Sequence, residues 1–216
     1  GLRVDTGIET GDVVSPFYDS MVAKIIAWGE TREEARLRLC SALRGTALIG
    51  VAHNREFLMN LLSDATFING LATTDFVDQH YRDGFTSVPI ATSDVAAAIS
   101  LQHIIAAQQH FDSALSVSSE LRGWVSTGAS SVSYRFEIDR TVADITIETR
   151  SATEFAIYIA DDVHTVLYEN CESGLASLLV DGDRKFISFH AVSNSVLDVS
   201  CQYSSFTVTN LDLIPP

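Results

Sequence analysis

From Val132 onward the apolar residues of this chain recur at every second position, in about eight short runs. The runs are SYRFEID, VADITIET, EFAIYIA, VHTVLYE, LASLLVD, KFISFHA, VLDVSCQ and SFTVTN, separated by turn-forming residues such as Asp161-Asp162, Gly182-Asp183 and Ser193-Asn194. A period of two marks strands with one face buried. Eight such strands in succession favour a closed antiparallel β-barrel, because closure leaves no unpaired edge. Upstream, PIATSDVAAAISLQHIIAAQQHF reads as one long alanine-rich helix, apolar on most sides. A helix of that kind needs burial nearly all round, and a barrel has an interior to fill. The helix is therefore expected inside the barrel, which would leave no room for a lipocalin-like ligand. Between the two, DSALSVSSELRGWVSTGASS is polar, rich in Ser and Gly, and carries Trp124. It reads as a long loop, a class of segment that is usually functional or disordered.

Residues 1–85 follow a different pattern. LRVDTGI alternates as a short strand, and MVAKIIAWG reads as a second, more deeply buried one. In GETREEARLRLCSALRGT, Thr31 with Glu34 three residues on forms a capping box, and Gly45 is placed to close the helix. Leu37, Cys40, Ala42, Leu43 and Ala47 lie near one face, with Arg32, Glu33 and Arg36 outward. ALIGV suggests a third strand. Asn54 is placed to cap a helix over REFLMNLLSD, and Thr73 or Thr74 a last one over TTDFVDQHY.

Charge narrows the partners. Lys and Arg total 14 against 28 Asp and Glu, a formal net charge of −14, which argues against a nucleic-acid surface or an anionic membrane. No apolar run is long enough to span a bilayer. Three cysteines, Cys40, Cys171 and Cys201, offer no C-x-x-C and no disulfide framework, which favours a reducing compartment. The histidines are scattered singly. No phosphate-cradling glycine loop, nucleophile elbow or paired-histidine zinc motif occurs. The only lysines are Lys24 and Lys185. Lys24 reads as a strand residue and Lys185 as a solvated residue of the DGDRKF hairpin turn. The chain opens at GLRVDTG, without an initiator Met and already as a strand, so it is expected to be a slice of a longer polypeptide.

The tract SPFYDSMVAKIIAWGETREEA, within RVDTGIETGDVVSPFYDSMVAKIIAWGETREEARLRL and followed by GVAHNREFLMNLLSDATFINGLATTDFVDQHY, resembles the C-terminal subdomain of biotin carboxylase. It is similar to that subdomain in the α subunits of biotin-dependent acyl-CoA carboxylases. The helix, the LRGWVSTG loop and the barrel resemble the domain that joins biotin carboxylase to carboxyltransferase in the propionyl-CoA, 3-methylcrotonyl-CoA and geranyl-CoA enzymes. The resemblance implies an α+β chain in three segments. Residues 1–85 would be the biotin carboxylase C-terminal subdomain, an antiparallel sheet with helices. Residues 86–131 would be the long helix and loop, and 132–216 a barrel of about eight strands.

The same resemblance implies a function. Full-length relatives use ATP, Mg and bicarbonate to carboxylate biotin through a carboxyphosphate intermediate. The ATP-grasp lid, the metal-binding glutamates and the arginines that handle bicarbonate and biotin lie upstream of Gly1, and the Ala-Met-Lys-Met biotin carrier motif is absent. The fragment alone is therefore expected to lack ligase activity and to bind none of these cofactors. Implied partners are the carboxyltransferase β subunit and the biotin carboxyl carrier domain, in the cytoplasm or, in a eukaryote, the mitochondrial matrix. Tyr18 and Asp19 would border the biotin pocket, where an Asp can orient an arginine. On the residues alone, Asp19 equally reads as the cap of a turn. Arg3 matches a position at a subunit interface of the stand-alone bacterial enzyme and receives no catalytic role. Trp124 is expected to contact the β subunit, with a plug over one barrel mouth as the rival. The alternative to the carboxylase reading is a non-catalytic helix-in-barrel interaction module.

Overall fold

The computed structural model describes residues 1–113 and 130–213. The chain divides into two units, Gly1–Val88 and Pro89–Pro216, so the long helix belongs with the barrel.

In the N-terminal unit, β1 (Leu2–Thr6) pairs antiparallel with β2 (Ala23–Ala27), Val4 lying opposite Ile25. Helix α1 (Arg32–Gly45) begins at Thr31, whose hydroxyl accepts from the Glu34 N–H at 3.1 Å. The Glu34 carboxylate in turn accepts from the Glu30 N–H at 2.8 Å, one residue before the cap. One orphan donor at this end, the Glu34 amide, is thereby satisfied, together with the amide just ahead of the cap. At the other end Gly45 is still helical. The helix stops at Thr46, whose N–H bonds the Leu43 carbonyl at 3.2 Å and whose hydroxyl bonds that of Ala42 at 2.8 Å.

Cys40 and Leu43 of α1 close a small core with Leu62 of α2 (Arg55–Ser63), joined by Ile25, Leu39, Leu58, Met59 and Phe67. Leu37 and Ala47, expected on that face, are exposed. Arg36, expected outward, turns back and donates to the Leu62 carbonyl at 2.8 Å. It occupies part of the face that a purely apolar reading assigned to leucine. Strand β2 alternates instead of being buried throughout, because helices pack on one face of the ribbon and leave Lys24 and Ile26 on the other. ALIGV is irregular: Gly50 sits at φ +83°, which breaks an extended run. Two short helices, α3 (Ala65–Ile68) and α4 (Phe76–His80), complete the unit. Asp75 rather than Thr73 or Thr74 occupies the α4 cap position, and Asn54 precedes α2 without a side-chain cap bond.

In the C-terminal unit, α5 (Thr92–Ser113) precedes eight strands. They are β3 (Ser130–Ile138), β4 (Thr141–Thr149), β5 (Glu154–Ile159), β6 (Asp162–Glu172), β7 (Leu175–Val180), β8 (Asp183–Ala191), β9 (Val196–Ser200) and β10 (Ser205–Asn210). Each pairs antiparallel with the next, and β10 returns to β3 with Val208 opposite Ile138, closing the barrel. All eight expected strands are present. Phe136, Ile145, Ile157, Val166, Leu178, Ile187 and Val199 point inward.

The helix is inside. Ala96, Ala97, Ala98, Ile99, Ser100 and Leu101 are each wholly excluded from solvent. Successive helical residues are rotated by about 100°, so six in a row cover the whole circumference. The alanines matter because an eight-stranded barrel is just wide enough for side chains to fill, and small residues let a helical backbone take their place.

Candidate functional site

Chemistry-bearing residues gather in two places, one in each unit. In the N-terminal unit they lie on the loop between β1 and β2. Its ends are pinned where the Gly7 N–H donates to the Val22 carbonyl at 3.2 Å. Within it, the Asp12 carboxylate accepts from the Glu9 N–H at 2.7 Å, and Ser15 Oγ accepts from the Phe17 N–H at 3.2 Å. Asp19 follows the same local logic, its carboxylate accepting from the Met21 N–H at 3.1 Å. Bonds from Asx and Ser side chains to backbone two residues on are what hold such turns. The loop thus has internal order, while Phe17 is 94% and Tyr18 88% exposed. Tyr18 and Asp19 are adjacent and on the surface of this unit. Arg3 is ion-paired with Asp5 at 2.7 Å, on the ribbon face that carries Lys24.

In the C-terminal unit the concentration lies at the rim where α5 enters the barrel. Asp181 and Gly182, at φ +53° and +91°, form the two-residue turn between β7 and β8. Both signs suit a type I′ hairpin turn. The turn places Asp181 so that one carboxylate oxygen accepts from the Thr165 N–H at 2.8 Å and the other lies 2.6 Å from His164 Nδ1. His164 Nε2 lies 3.0 Å from Thr92 Oγ1. Burial acts to raise the Asp181 carboxyl, but the bonds from His164 and the Thr165 amide, with the charges of His164 and Lys185, outweigh it and hold the group below its ordinary range. Beside this array Lys185 is ion-paired with Asp94 in the first turn of α5. Lys185 is therefore not a solvated turn residue. The turn ends at Gly182, and Lys185 lies on β8 opposite the buried Leu178, on the inward side. Both connections tie the helix to the wall. Neither was legible in the sequence, since His164 stands 72 residues from Thr92 and Lys185 stands 91 from Asp94.

Trp124 lies outside the described residues. Among the described residues no group of three His, Cys, Asp or Glu could hold a metal ion, and no helix is long and apolar enough to cross a membrane. The three cysteines are free thiols.

Residues 1–79 match the model of the biotin carboxylase C-terminal domain. Over 185 residues, 85% of this chain and 22% of the relative, the sequence is 30% identical to the mitochondrial propionyl-CoA carboxylase alpha chain of Sus scrofa. Over 106 residues, 49% of this chain and 14% of the relative, it is 37% identical to the mitochondrial methylcrotonoyl-CoA carboxylase subunit alpha of Oryza sativa. Over 108 residues, 49% of this chain and 16% of the relative, it is 36% identical to the propionyl-CoA carboxylase alpha chain of Ruegeria pomeroyi. The pig match runs past the N-terminal unit into the barrel, and it spans under a quarter of that protein's length. Residues 1–79 carry the biotin carboxylase C-terminal domain, and the chain is similar to a stretch of the α subunits of propionyl-CoA and methylcrotonoyl-CoA carboxylases.

Proposed function

We propose that this chain forms one wall of the biotin site in a biotin-dependent acyl-CoA carboxylase and docks the carboxyltransferase β subunit through its barrel unit. The observation that carries the first half is the β1–β2 loop. Its backbone is held by its own side chains, yet Phe17 and Tyr18 stand almost fully in solvent. Large aromatics on an ordered loop are a surface prepared for contact. In the assembled enzyme Tyr18 and Asp19 border bound biotin, while ATP, Mg and bicarbonate are handled by residues this chain does not supply. The biotin carboxyl carrier domain is the second partner. Trp124 is the proposed anchor on the β subunit.

The test uses the full-length α subunit. Tyr18→Ala should lower biotin-dependent, bicarbonate-dependent ATP turnover while leaving the melting temperature in place. The 216-residue chain by itself should show no such turnover, and bicarbonate-dependent turnover by the pure chain would overturn its assignment as a partial site. The rival reading, a non-catalytic interaction module, is favoured by the self-contained barrel with its filled core. Under it, Tyr18→Ala would leave turnover unchanged, whereas the carboxylase reading expects Trp124→Ala to weaken α–β assembly in analytical ultracentrifugation.

A further inference from the structure

Three side chains from three elements form a hydrogen-bonded line at the rim of the barrel unit: Thr92, His164 and Asp181. Thr92 opens α5 and is exposed. Its Oγ1 lies 3.0 Å from His164 Nε2, and His164 Nδ1 lies 2.6 Å from Asp181 Oδ2. The His164 side chain is 12% exposed and that of Asp181 47%. Asp181 is itself held, its second oxygen accepting from the Thr165 N–H at 2.8 Å. A hydroxyl, an imidazole and a fixed carboxylate in this order are the arrangement that makes a weak alcohol nucleophilic.

Fastening α5 to β6 accounts for the contact between Thr92 and His164 alone. It does not require the residue bearing the hydroxyl to be exposed, nor an anchored carboxylate on the far side of the ring. Backbone donors stand next to the hydroxyl as well. The Asp94 and Val95 amides both donate to the Ala91 carbonyl. Those of Thr92 and Ser93, just ahead of them, have no carbonyl within the helix to reach.

We propose that Thr92 is an acyl-accepting nucleophile for small neutral esters, with His164 as its general base and Asp181 as the positioning residue. An ionised carboxylate can only accept, so the ring proton sits on Nδ1, toward Asp181. Nε2 then takes the proton of Thr92 as Oγ1 bonds to the ester carbonyl carbon. The amides of Thr92 and Ser93 serve the negative charge that develops on the carbonyl oxygen. The bond to the leaving oxygen breaks, and His164 hands the proton to the departing alkoxide. Water, deprotonated by the same nitrogen, displaces Oγ1, frees the carboxylic acid and restores the hydroxyl. The rim sets the charge of the substrate. Asp162 lies two residues before His164 on β6, and Asp183 follows the β7–β8 turn, so an anionic ester is repelled. The methyl group of Thr92 crowds Oγ1 and favours a small acyl group such as acetyl.

The experiment incubates the 216-residue chain with p-nitrophenyl acetate and maps the acetyl group by peptide mass spectrometry. It should appear on Thr92 as an ester that hydroxylamine removes. Thr92→Val, which keeps the shape, should abolish it. Thr92→Ser, with a less crowded hydroxyl, should retain it and so separate loss of the nucleophile from loss of the fold. His164→Gln should slow labelling by about a hundredfold or more, the worth of a general base. Asp181→Asn, which keeps the geometry and reverses the tautomer, should depress labelling at neutral pH and let it recover in alkali. A merely structural contact would leave that pH profile in place. The anionic ester p-nitrophenyl hemisuccinate should react more slowly than the acetate, and a faster reaction would overturn the substrate class. Acetyl found only on lysine, on Ser93 or on the N-terminus would overturn the proposal. Labelling of Thr92 that is unchanged in His164→Gln would overturn it too.

Discussion

The His164 imidazole rests 2.6 Å from the Asp181 carboxylate, and its far nitrogen reaches the Thr92 hydroxyl at the start of α5. Nδ1 of the ring faces Asp181 and Nε2 faces the threonine hydroxyl. One side chain therefore joins β6, the β7–β8 turn and the helix. His164→Ala should cost about 1–2 kcal/mol, the worth of one or two hydrogen bonds, and the loss should be local. Amide hydrogen exchange should speed up in the first turn of α5 more than in β9 and β10. Uniform exchange across the unit would show that the contact does not fasten the helix.

The Lys185–Asp94 pair makes the second tie, and both side chains are largely withdrawn from water. Lys185→Met should destabilise the barrel unit by about 2 kcal/mol, because it strands a carboxylate. The helix N-terminus next to Asp94 softens the penalty. Asp94→Asn combined with Lys185→Met should recover part of the loss, as read from a double-mutant cycle in urea. Strict additivity would mean that the two groups do not interact.

Burial holds the His103 imidazole below its ordinary pKa of 6.5. The unfolded chain then takes up the proton first as the pH falls. Stability that is complete above about pH 6.5 should decline as the pH drops toward the lower folded-state value. His53 shifts the same way, through burial and then the Arg55 charge. The melting temperature should fall between about pH 7 and 5, and His103→Gln should reduce the fall. The carboxyl of Glu169, lowered chiefly by its hydrogen bond from Arg184 from an ordinary value of 4.5, loses its contribution only below that value, so the two effects separate. A flat melting profile down to pH 5 would count against a buried neutral His103.

Asp19 distinguishes a turn from a site. Its bond to the Met21 N–H predicts a cost of about 1 kcal/mol on Asp19→Ala if capping is its whole role. In the full-length α subunit the same change should slow biotin carboxylation by more than the shift in melting temperature explains, since orienting charge at a reacting group is worth more than a surface turn. Parallel loss of activity and stability would assign Asp19 to the turn alone.

The strands from Val132 onward were legible because each alternates cleanly and each turn carries residues suited to it. The inclusion of α5 was legible too, because an apolar helix beside a barrel has one place to go. ALIGV misled because its apolar content is that of a strand while Gly50 takes a positive φ. Arg36 misled because an arginine three residues after Glu33 looks like a surface ion pair, which it also makes, at 2.7 Å. Its second bond, to the Leu62 carbonyl, depends on where α2 packs. Lys185 was placed in a turn because the whole of DGDRKF looks like one. The actual turn needs only Asp181 and Gly182, which puts Lys185 back into strand alternation. The proposed site on the β1–β2 loop rests on resemblance, since spacing alone does not separate a capped turn from a pocket wall.

The position of α5 in the chain has a consequence for how the molecule is made. The helix precedes every strand of the barrel, and the last strand closes against the first. During synthesis the N-terminal part of a chain folds first, so the central rod emerges before any of the wall that will surround it. The strands can then be laid down around an existing template by successive local hairpins, and only the β10–β3 seam requires a distant pairing. With the helix moved behind β10, the same residues would have to thread a finished tube. The order of the segments, and not their composition, makes this core accessible to folding.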